Sequence, residues 1–484
     1  MDVITNIAAL LADPSIDTKR INRLFNLLTV KPRRRITILQ RFLDARKNVA
    51  LRTEAYDDFD DPLIRMVFYL KHCELTKSSI AEEEFFLFLE LIKNKTIRSS
   101  LLKFANRLLK QDQIRFIVFN LSGLETSDYF RLAKRALLQG EVELFDEISK
   151  KIHHPQLKIK LELMRCYFSG QALALEEVEA GFRKLDDHKF TSYLECVPSF
   201  KHLENSEKNY FDIRHNTKKQ RYLAHLAIQH LEQRQPFSIM RLSDGEAYGF
   251  SNCPKLSARQ ETHWWGGKLS AELRAQIKKD FVDSMQNKFN VLGMPTPYKF
   301  LRYLRLNNRF PISLEEDLDK RVTNRLALTI NALMRKLSTH EMDCDYLTED
   351  QINKILFTPA FLNEILSKAE RLVVITGFCN ELISKSLLHP KLVVKEIPTH
   401  NMNVTRSDVN LSSMALPYVY KDIDDWIRSN VTRGDLCLIS AGFIGKIFVT
   451  SSARCGAVAI DLGQGIDNFI QAGTEIDDQD RVDE

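Results

Sequence analysis

The chain has 484 residues, 44% hydrophobic and 27% charged, a globular composition in a length that exceeds one hydrophobic core. This excludes a small single module, a largely disordered chain and one mainly embedded in a membrane. The 69 Lys and Arg against 64 Asp and Glu leave a formal charge of +5, too diffuse to require a polyanion, and no nucleic-acid partner is expected. No run approaches the ~18 uninterrupted apolar residues of a spanning helix. Asp2 and Asp13 bracket a short apolar stretch that lacks the basic start of a signal peptide. Eight scattered cysteines without a CxxC pair give neither a disulfide framework nor a zinc site. The expectation is a cytoplasmic protein, at most peripheral to the inner face of the membrane.

Residues 1–50 carry ten Lys or Arg against four Asp or Glu, including Lys31, Arg33, Arg34 and Arg35, either a solvated helix start after Pro32 or an anion-binding run. From about 16 to 185 the pattern is helical nearly throughout. Ile21, Leu24, Phe25 and Leu28 fall at 3–4 spacing, and further helices are predicted at 82–93, 99–109, 127–138, 142–151 and 156–168. Gly140 and Gly170 follow apolar helical runs where a terminating glycine would sit. An all-α domain of helical hairpins over 1–200 is expected, a scaffold or docking surface. Residues 186–218 are polar and read as the boundary.

After that boundary, short apolar runs alternate with amphipathic helices. Strands are predicted at 237–242, 289–293, 372–376, 393–397, 436–440 and 457–461, with helices at 218–233 and 270–285. Buried strands of this length separated by helices indicate an α/β domain over 201–475 with a mostly parallel, Rossmann-like sheet, before an acidic tail at 476–484. Glycine follows the same division. Of 17, four lie in 1–200 and thirteen in 201–484, so tight-loop chemistry belongs to the second half. Parallel sheets bind ligands beyond the carboxyl ends of their strands, and the candidate residues are sought there.

The first strand end carries Arg241, then Ser243, Asp244, Gly245 and Glu246. Two carboxylates flanking a glycine suit Mg²⁺ or Mn²⁺, which takes one or two protein carboxylates and completes its shell with water and phosphate. The competing reading is an Asp-Gly turn. Near the end of the chain an apolar strand runs into Gly442, Gly445 and Lys446, a turn into a helix that suits phosphate or simply packs closely. Asp461 precedes Gly463 and either contacts a ribose or sugar hydroxyl or caps a turn. Thr376 and Gly377 close another strand. Glu396 and His400 stand near the end of the next, where a histidine is a catalyst or a satisfied structural group. Trp264 and Trp265, before Gly266 and Gly267, offer an aromatic platform for a sugar or base, or core packing.

Taken in order, Arg-x-x-Asp-Gly-Glu after a strand, a strand ending in Thr-Gly, Pro398 to Asn401 as Pro-x-x-Asn, Gly-x-x-Gly-Lys and a closing Ala-Ile-Asp-x-Gly resemble the bacterial GT-D-type glycosyltransferases, defined by a DxE motif. The resemblance covers about 220–468. It implies a metal-dependent transferase using a nucleoside-diphosphate sugar, UDP-sugar favoured, with a glycan, glycolipid or glycoprotein acceptor. It further implies Asp244 and Glu246 as metal ligands, Arg241, Gly245, Gly377, Gly442, Gly445 and Lys446 around the donor phosphates, and Trp264, Trp265 and His400 toward the acceptor. Asp461, Glu396 and His400 remain the candidates for a catalytic base. Ser243 stands where the family has glycine, and Arg454-Cys455-Gly456 replaces its glycine-rich end.

Overall fold

The computed structural model describes residues 61–76, 78–169, 175–185, 191–204, 210–211, 213–214, 216–286, 288–304, 322–397, 415–463 and 465–466. The basic run at Lys31 to Arg35, the helical spacing from Ile21 to Leu28, Gly170, Pro398 to Asn401 with His400, and the acidic tail lie outside the described residues. By internal contacts the chain divides into Met1–Ser169 and Gly170–Glu484.

The first unit contains helices α1 (Pro62–Thr76), α2 (Glu82–Lys93), α3 (Lys95–Ala105), α4 (Gln111–Asn120), α5 (Thr126–Leu138), α6 (Val142–Ser149) and α7 (Pro155–Ser169). Their ends follow local chemistry. Glu82, Glu83 and Glu84 open α2 and Lys93 closes it, complementing the helix dipole. Asn94 caps α3 by accepting from the Thr96 N–H at 3.0 Å, one of the donors a helix start leaves unsatisfied. At the end of α5, Gly140 takes φ 80°. The Glu141 N–H reaches Ala136 O at 2.9 Å and the Gly140 N–H reaches Leu137 O at 3.1 Å, a Schellman ending that needs the left-handed residue. Buried Arg98 donates to Ile92 O at 2.6 Å and Lys93 O at 3.1 Å, satisfying the carbonyls where α2 stops. Ile97, Leu101, Phe130, Leu144, Phe145 and Ile148 contribute to the apolar interior.

The second unit begins with α8 (Leu175–Leu185) and α9 (Thr191–Glu204), then β1 (Tyr210–Phe211) and α10 (Thr217–Glu232). The division thus falls at Ser169 and not near 200: α8, inside the stretch assigned to the helical domain, and α9, in the stretch read as a polar boundary, belong to the unit of the sheet. Aromatic packing explains this: Tyr193 of α9 stacks on Phe182 of α8 with centroids 4.3 Å apart and meets Phe300 edge-on at 5.4 Å, an apolar anchor worth more than the polar residues around it.

The remaining elements are β2 (Phe237–Arg241), α11 (Ala247–Phe250), α12 (Pro254–Trp265), α13 (Ala271–Met285), β3 (Lys288–Met294), a 3₁₀ helix (Pro297–Tyr303), α14 (Val322–Ser338) and β4 (Asp343–Glu349). They continue with α15 (Ile352–Leu356), α16 (Pro359–Lys368), β5 (Leu372–Thr376), α17 (Asn380–Ser386), β6 (Leu392–Glu396), α18 (Tyr420–Asn430), β7 (Leu436–Ser440), α19 (Gly445–Arg454) and β8 (Val458–Asp461). The eight strands form one sheet in the order β1-β4-β3-β2-β8-β7-β5-β6, and every pairing is parallel. The expected α/β architecture with a parallel sheet is present.

Both faces of the sheet are covered. Phe237, Ile239, Leu372, Val374, Leu436, Leu438, Val458 and Ile460 join one core with Leu223, Ala227 and Leu231 of α10 and Phe361, Leu362 and Ile365 of α16. Because strand side chains alternate, Met240, Val373, Ile439 and Ala459 point the other way, and these are buried too. Here α19 packs on β2, β7 and β8. Asp461 shares the alternation of Ala459, which directs it toward α19.

Candidate functional site

Among the described residues all strands are parallel, so their carboxyl ends form one row. Arg241 is level with Gly293 of β3, which is level with Thr348 of β4. Ile439 is level with Asp461, and Ser440 with Thr376. Past β2 the chain turns at once: the Leu242 N–H bonds Gly293 O at 2.7 Å, and the Tyr248 and Gly249 N–H groups bond the carbonyls of Gly245 and Glu246 at 3.1 and 3.0 Å. Glu246 Oε2 accepts from the Ser243 N–H at 2.5 Å, so its carboxylate closes the turn that leads from β2 into α11. A Cβ on Gly245 would lie 3.2 Å from the Trp264 ring, so the indole closes over the turn where only glycine fits without displacement.

The motif residues of β2, β7 and β8 converge. Lys446, in the first turn of α19 and 2% exposed, places Nζ 2.7 Å from Asp461 Oδ2 and 3.3 Å from Glu246 Oε1. Asp461 Oδ2 also accepts from the Arg241 N–H at 3.4 Å across 220 residues of sequence, and its Oδ1 accepts from the Gly463 N–H at 3.1 Å. Arg241 donates to Asn353 Oδ1 at 3.0 Å, and Asn353 in turn donates to Leu462 O at 2.6 Å. Lys446 is a buried ammonium between two carboxylates, which is how a charge in that position escapes its desolvation cost.

Asp244 lies on the other side of the turn. Its Oδ2 accepts from Arg325 Nε at 3.0 Å and Nη2 at 2.7 Å, and its side chain is 30% exposed. Behind it, Ser243 Oγ donates to Asp350 Oδ2, and Lys299 donates to the same carboxylate and to Ser243 Oγ at 3.1 Å. Burial raises the Asp350 pKa, but the Lys299 charge, hydrogen bonds from Lys299 and Ser243, and the Arg241 charge outweigh it and leave the carboxyl below its ordinary value.

The other expected residues are distributed differently. Gly442 takes φ 56° with open space where a Cβ would stand. The amides of Gly445 and Lys446 are spent within the turn, on Ala441 O at 3.2 Å and Phe443 O at 3.3 Å, so neither is offered to a phosphate. Gly377 follows the last residue of β5, and β7 stands between β5 and β8 in the sheet. Glu396 accepts from the Asn380 N–H at 2.7 Å, serving the start of α17. Trp264 and Trp265 are the last residues of α12, closed by left-handed Gly266. Trp265 is buried, and Trp264 stacks on Phe443 with centroids 5.6 Å apart. Both tryptophans join a packed aromatic cluster, with Trp265 inside it and Trp264 half-buried at its edge.

Beside that cluster Tyr248 donates to Glu261 at 3.0 Å, and the fully buried Glu261 is clamped by Arg274 and by the Leu269 N–H at 2.9 Å. Lys278 lies over the Tyr248 ring, 4.5 Å from its centroid. Burial and the nearby Arg274 charge push the Lys278 pKa down to about 8.

Arg325, Lys299, Asp350 and Asn353 escaped the sequence reading. The signal available for Arg325 was Thr323, Asn324, Arg325 and Thr329, polar groups interspersed with the apolar residues in the first half of α14 and all buried. For Asp350 and Asn353 the signal depended on recognising β4. Among the described residues, no group of three or more His, Cys, Asp or Glu is placed to hold a metal ion.

No protein-family model, curated protein or solved structure matches the chain.

Proposed function

We propose that the sheet unit is a GT-D-like glycosyltransferase that moves a sugar from a nucleoside-diphosphate sugar, UDP-sugar favoured, to a glycan, glycolipid or glycoprotein acceptor. One observation carries this reading: Arg241, Glu246, Lys446 and Asp461, separated by up to 220 residues, interlock at the carboxyl ends of β2 and β8, with Asp244 at the mouth of the same turn. That is where a parallel sheet receives a nucleotide. In the transfer, an acceptor hydroxyl attacks the anomeric carbon and gives up its proton to solvent, the bond from that carbon to the diphosphate oxygen breaks, and the diphosphate leaves with the electron pair. Fixed cations beside the diphosphate stabilise that charge.

Each residue then has a part. Asp244 is the carboxylate of the cluster open to a ligand, with Arg325 holding its orientation. Glu246 fixes the turn through the Ser243 amide. Asp461, 1% exposed, positions Lys446 and is too enclosed to take the acceptor proton directly. The divalent metal that the resemblance implies does not fit Asp244 and Glu246 as they are placed, because both Glu246 oxygens and one Asp244 oxygen already engage donors of the chain. The helical unit is the docking surface for the acceptor or partner enzymes. Among the described residues no helix is long and apolar enough to cross a membrane.

The test is nucleoside diphosphate release by the full chain from a panel of nucleotide sugars, with and without Mn²⁺ or Mg²⁺ and candidate acceptors. Release from one donor, abolished in Asp244→Ala, is expected; absence of binding to every donor sinks the reading. The internal pairing of all three carboxylates favours a second reading, a non-catalytic nucleotide-binding assembly protein. It predicts nucleotide binding without turnover.

A further inference from the structure

We infer that Lys446 stands in the place of a divalent metal at the Asp244-Gly245-Glu246 turn, so that the chain binds a nucleoside diphosphate without Mn²⁺ or Mg²⁺. The inference rests on the glycosyltransferase reading for its ligand, but the geometry behind it is independent of that reading. Glu246 is 6% exposed and has both oxygens occupied, Oε2 by the Ser243 N–H at 2.5 Å and Oε1 by Lys446 at 3.3 Å. Asp461 is equally committed, with Oδ1 to the Gly463 N–H and Oδ2 to Lys446 at 2.7 Å. Asp244 carries Arg325 on Oδ2.

A Mg²⁺ or Mn²⁺ ion bound at about 2.1 Å from Glu246 Oε1 would lie within about 5.4 Å of the Lys446 ammonium, a like-charge approach in a buried site. The same ion on Asp244 Oδ2 would lie within about 4.8 Å of the Arg325 guanidinium. Lys446 cannot withdraw to solvent, since it enters from the first turn of a helix packed on β2, β7 and β8. One ammonium thus does for Glu246 and Asp461 what a metal would do for a pair of carboxylates. It also leaves Glu246 Oε2 to the Ser243 N–H that closes the turn.

The test is direct Mn²⁺ titration of the full-length protein without nucleotide, followed by the electron paramagnetic resonance signal of the free ion. Wild type is expected to show no stoichiometric uptake up to about 1 mM Mn²⁺, the weak end of protein cation sites, and Glu246→Gln is expected to leave the titration unchanged. Lys446→Gln, which frees two carboxylates, is expected to raise Mn²⁺ affinity at least tenfold. If that variant does not fold, the Glu246→Gln comparison still decides. Micromolar one-to-one uptake by wild type that Glu246→Gln removes would overturn the inference.

A second arm measures UDP binding in EDTA and in Mn²⁺. Equal affinity is expected, and binding only with Mn²⁺ overturns the inference while leaving the transferase reading standing. If no nucleoside diphosphate from a panel binds under either condition, the transferase reading fails and the Mn²⁺ titration alone judges Lys446.

Discussion

Two stretches of the same sheet edge carry the same local signature and have become different things. At the ends of β2 and β8 a polar residue near a glycine belongs to a dense charge cluster in which Glu246, Lys446 and Asp461 are buried and Arg241 is half-buried. At the ends of β5 and β6 the equivalent residues serve their own neighbourhood. Thr376 Oγ1 accepts from the Phe378 N–H at 3.3 Å and Glu396 accepts from the Asn380 N–H at 2.7 Å. What separates the two is sheet order: β8 lies between β2 and β7, so carboxylates distant in sequence share one ammonium. A strand-end glycine marks a place where chemistry can be built; the neighbours in the sheet decide whether it is.

The largest expected effect tests the crowded end. Lys446→Met should destabilise the protein by about 3–5 kcal/mol, because it leaves Glu246 and Asp461 buried without their cation; urea midpoints would measure it, and a loss below 1 kcal/mol would mean that the cluster is slack. Thr376→Val, at the quieter end, removes one hydrogen bond from a fully buried hydroxyl and should cost about 1 kcal/mol by the same measurement. Glu396→Gln keeps an acceptor for the Asn380 N–H and should stay within about 0.5 kcal/mol. Its nucleotide binding should equal wild type, whereas any loss would extend the site to β6.

The smallest effect is one of slope, in the aromatic region beside the turn. Lys278, among Arg274, Glu261, Cys253 and Tyr248, has its pKa lowered from 10.5 to about 8. Between those values the unfolded chain binds the proton and the folded chain has released it, so stability should rise with pH from about 8 toward 10.5. Lys278→Met should flatten that rise in thermal melts from pH 7.5 to 10. An unchanged slope would place the amine in water.

The strands with continuous apolar runs were legible: β5 and β7 occupy Leu372–Thr376 and Leu436–Ser440, where Leu, Val and Ile leave no other reading. β4 was not. Asp343, Cys344, Asp345, Tyr346, Leu347, Thr348 and Glu349 lack an apolar run, and the strand is held by its pairing with β3 along its length, a tertiary cause outside any local window. Missing β4 meant missing Asp350 and Asn353 just beyond it. The Asp-Gly-Glu turn and the lysine after the last glycine turn were visible as motifs. Their mutual contact was not, because spacing along a chain carries no information about which strand is inserted between two others.

That insertion also sets the order in which the sheet can be finished during synthesis. Among the described strands β8 comes last in the chain yet occupies an interior position, joining β1-β4-β3-β2 to β7-β5-β6. Until it emerges from the ribosome, a nascent chain can assemble two partial sheets with open inner edges but not the whole. Such edges are where strands pair wrongly or with other chains, and pairings this distant in sequence form slowly. Val458 to Asp461 is therefore both the keystone of the sheet and its longest wait.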